Sequence, residues 1–147
     1  MPVYYPPVGF HFKVVLDGNT NEDTSFQEVS GLSAEIRTED ITEGGENRFV
    51  YKVPKTVQYS NLVLKRGLAT ANSPLVTWCK ATIEGGTFNI TKKQVEIMLL
   101  DEEHNPLMTW KLENAYPIKY NISNFNAERT ELVIENIELV YTRFMKV

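Results

Sequence analysis

Residues 8–16 read VGFHFKVVL. Val8, Phe10, Phe12, Val14 and Leu16 alternate with Gly9, His11, Lys13 and Val15. Successive side chains of an extended chain point to opposite faces, so one apolar set at a period of two predicts a half-buried strand. The same period recurs along the chain. After Phe26 and Gly31, Leu32, Ala34 and Ile36 alternate with Ser33, Glu35 and Arg37. Phe49, Tyr51 and Val53 share a side, and Leu62 and Leu64 mark a strand closed by Gly67. Val95, Ile97 and Leu99 do the same in 94–101, and Met108, Trp110 and Leu112 in 107–113. Tyr116, Ile118 and Tyr120 mark a further strand, which Pro117 places at an edge or a bend. Residues 17–24 (DGNTNEDT) and 102–106 (EEHNP) are polar turns between these runs.

Near the C-terminus the pattern slips. Leu132, Ile134 and Asn136 share one parity, whereas Ile137, Leu139 and Tyr141 share the other. A bulge or bend near Asn136 would return them to one side. A straight strand over 130–144 would span roughly 50 Å at about 3.3 Å per residue, so bending is expected.

One segment is helical. Ser73-Pro74 supplies an N-cap acceptor and a proline for the first turn, Leu75, Trp78, Cys79 and Ile83 fall on one stripe, and Gly85-Gly86 supplies the stop. The helix is expected over 74–84, with those four residues packing it on the sheet. With about seven or eight strands, the fold class is mainly β with minor α+β character: a small antiparallel β-barrel or sandwich with one flanking α-helix. Residues 1–147 are expected to form one domain.

Residues 38–47 (TEDITEGGEN) carry little apolar material. The runs on either side look like the legs of a hairpin with Gly44-Gly45 at or near its tip, giving an extended arm at about 38–55. Pro54 ends the second leg or puts it at an edge. Charge is segregated here. Residues 17–46 hold nine acids and one base, Arg37, for a net −8, and residues 47–66 hold Arg48, Lys52, Lys55, Lys65 and Arg66 with no acid, for a net +5. Two readings stand: a solvated hairpin with chance clustering, or complementary ends that meet head to tail between neighbouring copies.

The 147 residues are 23% charged and 42% hydrophobic, which is a globular composition, and the net charge of −4 is unfavourable for a general nucleic-acid binder. A single cysteine, Cys79, excludes an intrachain disulfide framework and a multi-cysteine zinc site. No signal peptide and no transmembrane segment is expected, so synthesis in the cytoplasm is.

The search for chemistry finds little. His11 reads as a surface residue of the polar strand face, and His104 stands in a turn beside Glu102 and Glu103, a trio poorly spaced for a closed metal site. Cys79 lies on the apolar helix stripe with no basic neighbour to activate it. Gly44-Gly45 lacks the Lys-Ser/Thr sequel of a phosphate loop. No nucleophile–base pair is evident, so no catalytic residue, metal site or cofactor is assigned.

The strings YYPPVGFHFKV (4–14), FQEVSGLSAEI (26–36), EGGENRFVYKVPKTVQYSNLVLKRG (43–67), EEHNPLMTWKLENAYPIKY (102–120) and FNAERTELVIENIELVY (125–141) together resemble the inner tube proteins of contractile tails. This is the phage tail tube family, with its relatives in extracellular contractile injection systems. The resemblance implies a barrel with a flanking helix, six copies to a ring whose sheet edges are paired by neighbours, and rings stacked into a rigid tube within a contractile sheath. Sheath contraction would drive the tube through a target envelope and deliver cargo. The implied partners are identical copies in a homohexamer and in stacked rings, the sheath protein, baseplate, spike and tube-initiator proteins, and cargo in the lumen. The place of action would be a tail-like particle or virion tail, outside the producing cell or at the target envelope.

By this resemblance the EGG arm would correspond to the family's long loop, which reaches the adjacent ring. The resemblance therefore implies inter-ring contacts at Glu39, Asp40, Glu43, Gly44, Gly45, Glu46, Asn47 and Arg48. Lys52, Lys55, Lys65 and Arg66 are then candidate charge partners for a neighbour's acids. Alternatives are the DNA-conducting tube of a contractile phage, a tube-initiating paralogue near the baseplate, and a monomeric ligand-binding β-barrel. Polar-parity residues such as His11, Lys13, Glu35, Arg37 and Glu96 suit a wet channel better than a closed apolar cavity.

Overall fold

The computed structural model describes residues 10–17, 22–42, 44–45, 50–67, 73–86, 90–123 and 133–147. Among the described residues nine strands and one helix follow one another as β1 (His11–Leu16), β2 (Glu22–Ser30), β3 (Ala34–Ile41), β4 (Tyr51–Tyr59), β5 (Leu62–Gly67), α1 (Pro74–Gly85), β6 (Lys93–Leu100), β7 (Pro106–Ile122), β8 (Ile134–Val140) and β9 (Arg143–Lys146). The protein is mainly β with one helix.

The alternation that predicts β1 puts Val14 and Leu16 into the core with Phe12 packed against them, and it runs out at Phe10, which lies outside the strand and is exposed. Val15, on the parity read as polar, is buried too. The main sheet runs β6-β1-β2-β5-β8-β7-β9, and β6 pairs with β7 as well. All these pairings are antiparallel. The ladder thus returns to its start, and β6, β1, β2, β5, β8 and β7 each have a strand on both sides within one chain. That corrects the expectation that neighbouring copies must supply the partners for these edges.

Residues 107–113 and 116–120 are not separate strands. β7 is continuous over both, with a register shift opposite Lys93–Val95 and Asn114 at φ +53. Asparagine tolerates the left-handed conformation, so the strand absorbs an extra residue and bends instead of ending. The bend lets one long strand serve different neighbours, β6 along its first half and β8 along its second.

The slip expected near Asn136 is absent. β8 pairs with β5 without a break from Ile134 to Leu139, and its buried parity is Glu135, Ile137 and Leu139. The buried acid in that set is what made the apolar pattern appear to shift. The irregularity lies across from β8, between Pro117 and Lys119 of β7. The strand breaks instead at Tyr141-Thr142, after which β9 continues along β7, with Glu113 opposite Arg143. Leu132 lies outside the described residues. β2 also starts earlier than the polar turn over 17–24 allows, because Asp23 is a buried strand residue.

Helix α1 begins as its sequence dictates. The Ser73 hydroxyl accepts the amide of Val76, and Pro74 occupies the first turn. Leu75, Trp78 and Cys79 join the core cluster that holds Phe26, Leu64, Ile97, Leu112 and Ile137. Ile83, expected on that stripe, is 49% exposed, and Thr82 is buried in its place. At about 100° per residue, Thr82 falls near the centre of the stripe and Ile83 about a quarter-turn from it.

Candidate assembly surface

The arm is longer than 38–55. β3 and β4 form a two-stranded sheet of their own over Ala34–Ile41 and Tyr51–Tyr59, and every described side chain in it except Tyr59 is exposed. Pro54 does not end the second leg. It sits within β4 opposite Thr38, beside a register shift that leaves Lys55 as the extra residue. A proline, lacking an amide hydrogen, is accommodated in an edge strand at a bulge, and in a two-stranded sheet both strands are edges.

The bulge decides which side chains share a face. Ile36 stands opposite Val57 near the base, and Ile41 stands opposite Tyr51 toward the tip. Because alternation along β3 is unbroken, Ile36 and Ile41 point to opposite faces, and without the extra Lys55 the odd-numbered Tyr51 and Val57 would share one. The arm therefore presents one apolar pair on each face: Ile36 (59% exposed) with Val57 (53%), and Ile41 (45%) with Tyr51 (48%).

The root of the arm is tightly specified. β2–β5 and β3–β4 share one register, and between them Ser60 donates its amide to the Ser33 carbonyl (3.2 Å) while the two hydroxyls hydrogen-bond at 2.7 Å. The four strands are thus one long hairpin that leaves the main sheet at Gly31 (φ +94). Tyr59 packs on Tyr141 and Phe144, with ring centroids 5.9 and 5.4 Å away. The Tyr141 hydroxyl donates to the Gly31 carbonyl at 3.1 Å. Burial pushes the Tyr141 phenol up to about 12, in keeping with a neutral donor held against the backbone.

Among the residues expected at the arm, Glu39 and Asp40 lie on β3, and Gly44 and Gly45 form a turn with open space around them and Gly45 at φ +90. Glu43, Glu46, Asn47 and Arg48 lie outside the described residues. Lys52 and Lys55 are exposed on β4. Lys65 lies 3.9 Å from Glu28 of the same chain.

Arg66 is a different matter, and its assignment as a partner for another copy is corrected. It is 3% exposed. Its Nε donates to Glu135 Oε2 at 2.9 Å, Nη1 lies 3.1 Å from Asp23 Oδ1, and Nη2 donates to Ser73 Oγ at 2.8 Å. The Phe26 ring lies 4.5 Å from the guanidinium carbon. One cation faces two buried carboxylates, and the helix supplies what the guanidinium leaves. Asp23 accepts the Ser73 hydroxyl and the Leu75 amide (3.0 Å) at the positive end of α1. Among the described residues no buried side-chain polar atom lacks a partner. Sequence reasoning missed this cluster because its members come from four separated elements, and the only local sign was an acid in an apolar parity at Glu135.

The charge segregation also has an internal explanation. The acidic segment becomes β2 and β3 and the basic segment β4 and β5, which are each other's ladder partners, with Glu28 opposite Lys65 and Asp40 opposite Lys52. Opposite charges across an antiparallel pair are favourable by roughly 0.2–1 kcal/mol.

Cys79 is buried at 0% exposure. Burial, then the Glu135 and Asp23 carboxylates, push its thiol up to about 12, the reverse of what a nucleophile needs. Among the described residues no group of three or more His, Cys, Asp or Glu side chains could hold a metal ion. No helix among the described residues is long and apolar enough to cross a membrane.

The family model of the T4-like virus tail tube protein gp19 matches residues 8–145. A chain in the cryo-EM structure of the anti-feeding prophage (AFP) baseplate, six-fold symmetrised, is 28% identical with a TM-score of 0.78, the match covering 100% of this chain and 97% of that one. A chain of the sheath/tube terminator of the extracellular contractile injection system PVC, in its extended state, is 26% identical with a TM-score of 0.76, covering 99% of each chain. Hcp1 from Flavobacterium johnsoniae shares the fold alone, at 14% identity and a TM-score of 0.60, with 92% of this chain and 94% of that one covered. No curated protein matches the chain.

Proposed function

Because the chain belongs to the T4-like virus tail tube protein family, a structural and not an enzymatic family, we propose that six copies close into a ring and that the rings stack coaxially as the inner tube of a contractile injection particle. Sheath contraction drives this tube through a target envelope and releases what the lumen carries. A headless particle is favoured over a DNA-conducting phage tail by the relatives at 26–28% identity, which come from the anti-feeding prophage and an extracellular injection system.

The observation that carries this reading is the arm. Apart from Tyr59, which packs on Tyr141 and Phe144 at its root, its described side chains are exposed, and Ile36, Val57, Ile41 and Tyr51 are each 45–59% exposed on it. Apolar surface of this kind on a two-stranded sheet is stabilised when another molecule covers it. The two faces give each arm two places of contact, which suits a subunit that must hold both a neighbour in its own ring and one in the next.

The ligand-binding alternative draws less support. The interior of the curled sheet is filled by Leu16, Phe26, Leu62, Leu64, Ile97, Leu112, Ile137 and Leu139, all fully buried and joined to the helix stripe.

Negative-stain electron microscopy of the full chain, expressed alone and together with the baseplate proteins of its system, tests the proposal. Rings of six-fold symmetry that stack in the presence of a baseplate are expected. A chain that stays monomeric under both conditions overturns it.

A further inference from the structure

Both histidines of the chain meet at one point, although they are far apart in sequence. His11 opens β1 opposite Leu100, the last residue of β6, and the turn that leaves β6 carries His104 back over that position. His11 Nε2 and His104 Nδ1 are 2.9 Å apart, with the rings at 76° to each other. The turn holds its shape through Asp101, whose Oδ1 accepts the amides of Glu103 and Asn105, both at 2.9 Å. His104 itself is kept at φ +66. His104 is exposed and His11 half-buried, and the turn brings the exposed Glu102 and Glu103 close in sequence to the pair.

We infer that this pair is a binding site for a divalent transition-metal ion of tetragonal preference, Cu²⁺ foremost. Two nitrogens bound at about 2.05 Å in neighbouring positions of a square plane lie about 2.9 Å apart. The spacing of the two ring nitrogens already meets that condition. A tetrahedral Zn²⁺ would spread them to about 3.3 Å. Binding needs each facing nitrogen to carry a lone pair. The proton shared between the rings moves to a far ring nitrogen, and both imidazoles stay neutral. Among the described residues the two imidazoles are the only protein ligands of the site. The carboxylates of the turn add a favourable field for a cation. The site is independent of the tube reading, since tube assembly has no need of it.

The test is a Cu²⁺ titration of the tag-free full chain, followed by electron paramagnetic resonance, alongside His11→Gln and His104→Asn. Asparagine is chosen because it tolerates positive φ, and far-UV circular dichroism verifies that each variant folds. The expected result is one ion per chain with nitrogen splitting from two imidazoles, and loss of that signal in each variant. Absence of stoichiometric binding, or a signal that persists unchanged in either folded variant, overturns the inference.

Discussion

A methyl group placed on Gly31 would lie 1.8 Å from the carbonyl oxygen of Asn61. The two residues face each other where the long hairpin leaves the main sheet, and only a glycine lets the strands approach that closely with φ at +94. This contact sets the direction in which the arm departs.

Gly31→Ala should therefore act twice. The clash and the positive φ should lower the stability of the subunit by about 1–3 kcal/mol, measured by urea denaturation. The variant that still folds should fail to stack, because its arm leaves the sheet at another angle. A stable variant with normal tubes would show that the close approach has no bearing on assembly.

Arg66→Met should be more damaging than its place among the basic residues suggests. It leaves Asp23 and Glu135 buried without their cation, a loss of about 3–5 kcal/mol. Adding Asp23→Asn and Glu135→Gln to the same chain should recover part of that loss, since neutral side chains need no cation. Chemical denaturation of the single and triple variants checks the ordering.

Stability should fall on the alkaline side. Burial raises Cys79, Tyr120 and Tyr141 to about 12 each, and for Tyr120 a hydrogen bond to Glu135 adds to it. The unfolded chain releases these protons near the ordinary values of about 8.5 for cysteine and about 10 for tyrosine, whereas the folded chain holds them. Stability is therefore fully present below about pH 8.5 and declines as pH rises toward 12. Denaturation midpoints across pH 8–11 measure this. In the same range Cys79 should resist iodoacetamide until the protein unfolds.

The two faces of the arm should be separable. Ile36→Ser with Val57→Ser alters the base pair, and Ile41→Ser with Tyr51→Ser alters the pair toward the tip. Both positions are exposed, so subunit stability should change by no more than about 0.5 kcal/mol per substitution. Assembly should be impaired by each double variant, read as tube length by electron microscopy. Unchanged tubes from both would remove the arm's apolar pairs from the interface.

Much of this fold is legible from local pattern. Val14 and Leu16, Leu62 and Leu64, and Val95 and Ile97 are buried as their period of two requires, and Ser73-Pro74 starts the helix. What escaped local reading depends on contacts between distant segments. Glu135 breaks the apolar parity of β8 because Arg66 awaits it across the ladder, and Arg66 reads as one more surface base until Asp23 is placed beside it. Asn114 looks like the end of a strand, yet its left-handed backbone is what keeps β7 continuous. The charge blocks over 17–46 and 47–66 suggested contact between copies, and the register of β3 on β4 and β2 on β5 turns them toward each other inside one chain. The histidine pair is of the same kind, since nothing near His11 in sequence announces His104.

The central claim is that copies of this chain cover one another's arms. A cryo-EM reconstruction of tubes grown from the full chain on its baseplate tests it most directly. The expected map shows six-fold rings with the Ile36–Val57 and Ile41–Tyr51 pairs each buried against another copy. Arms that project into solvent from well-resolved rings, or particles that never exceed a single chain, would contradict it.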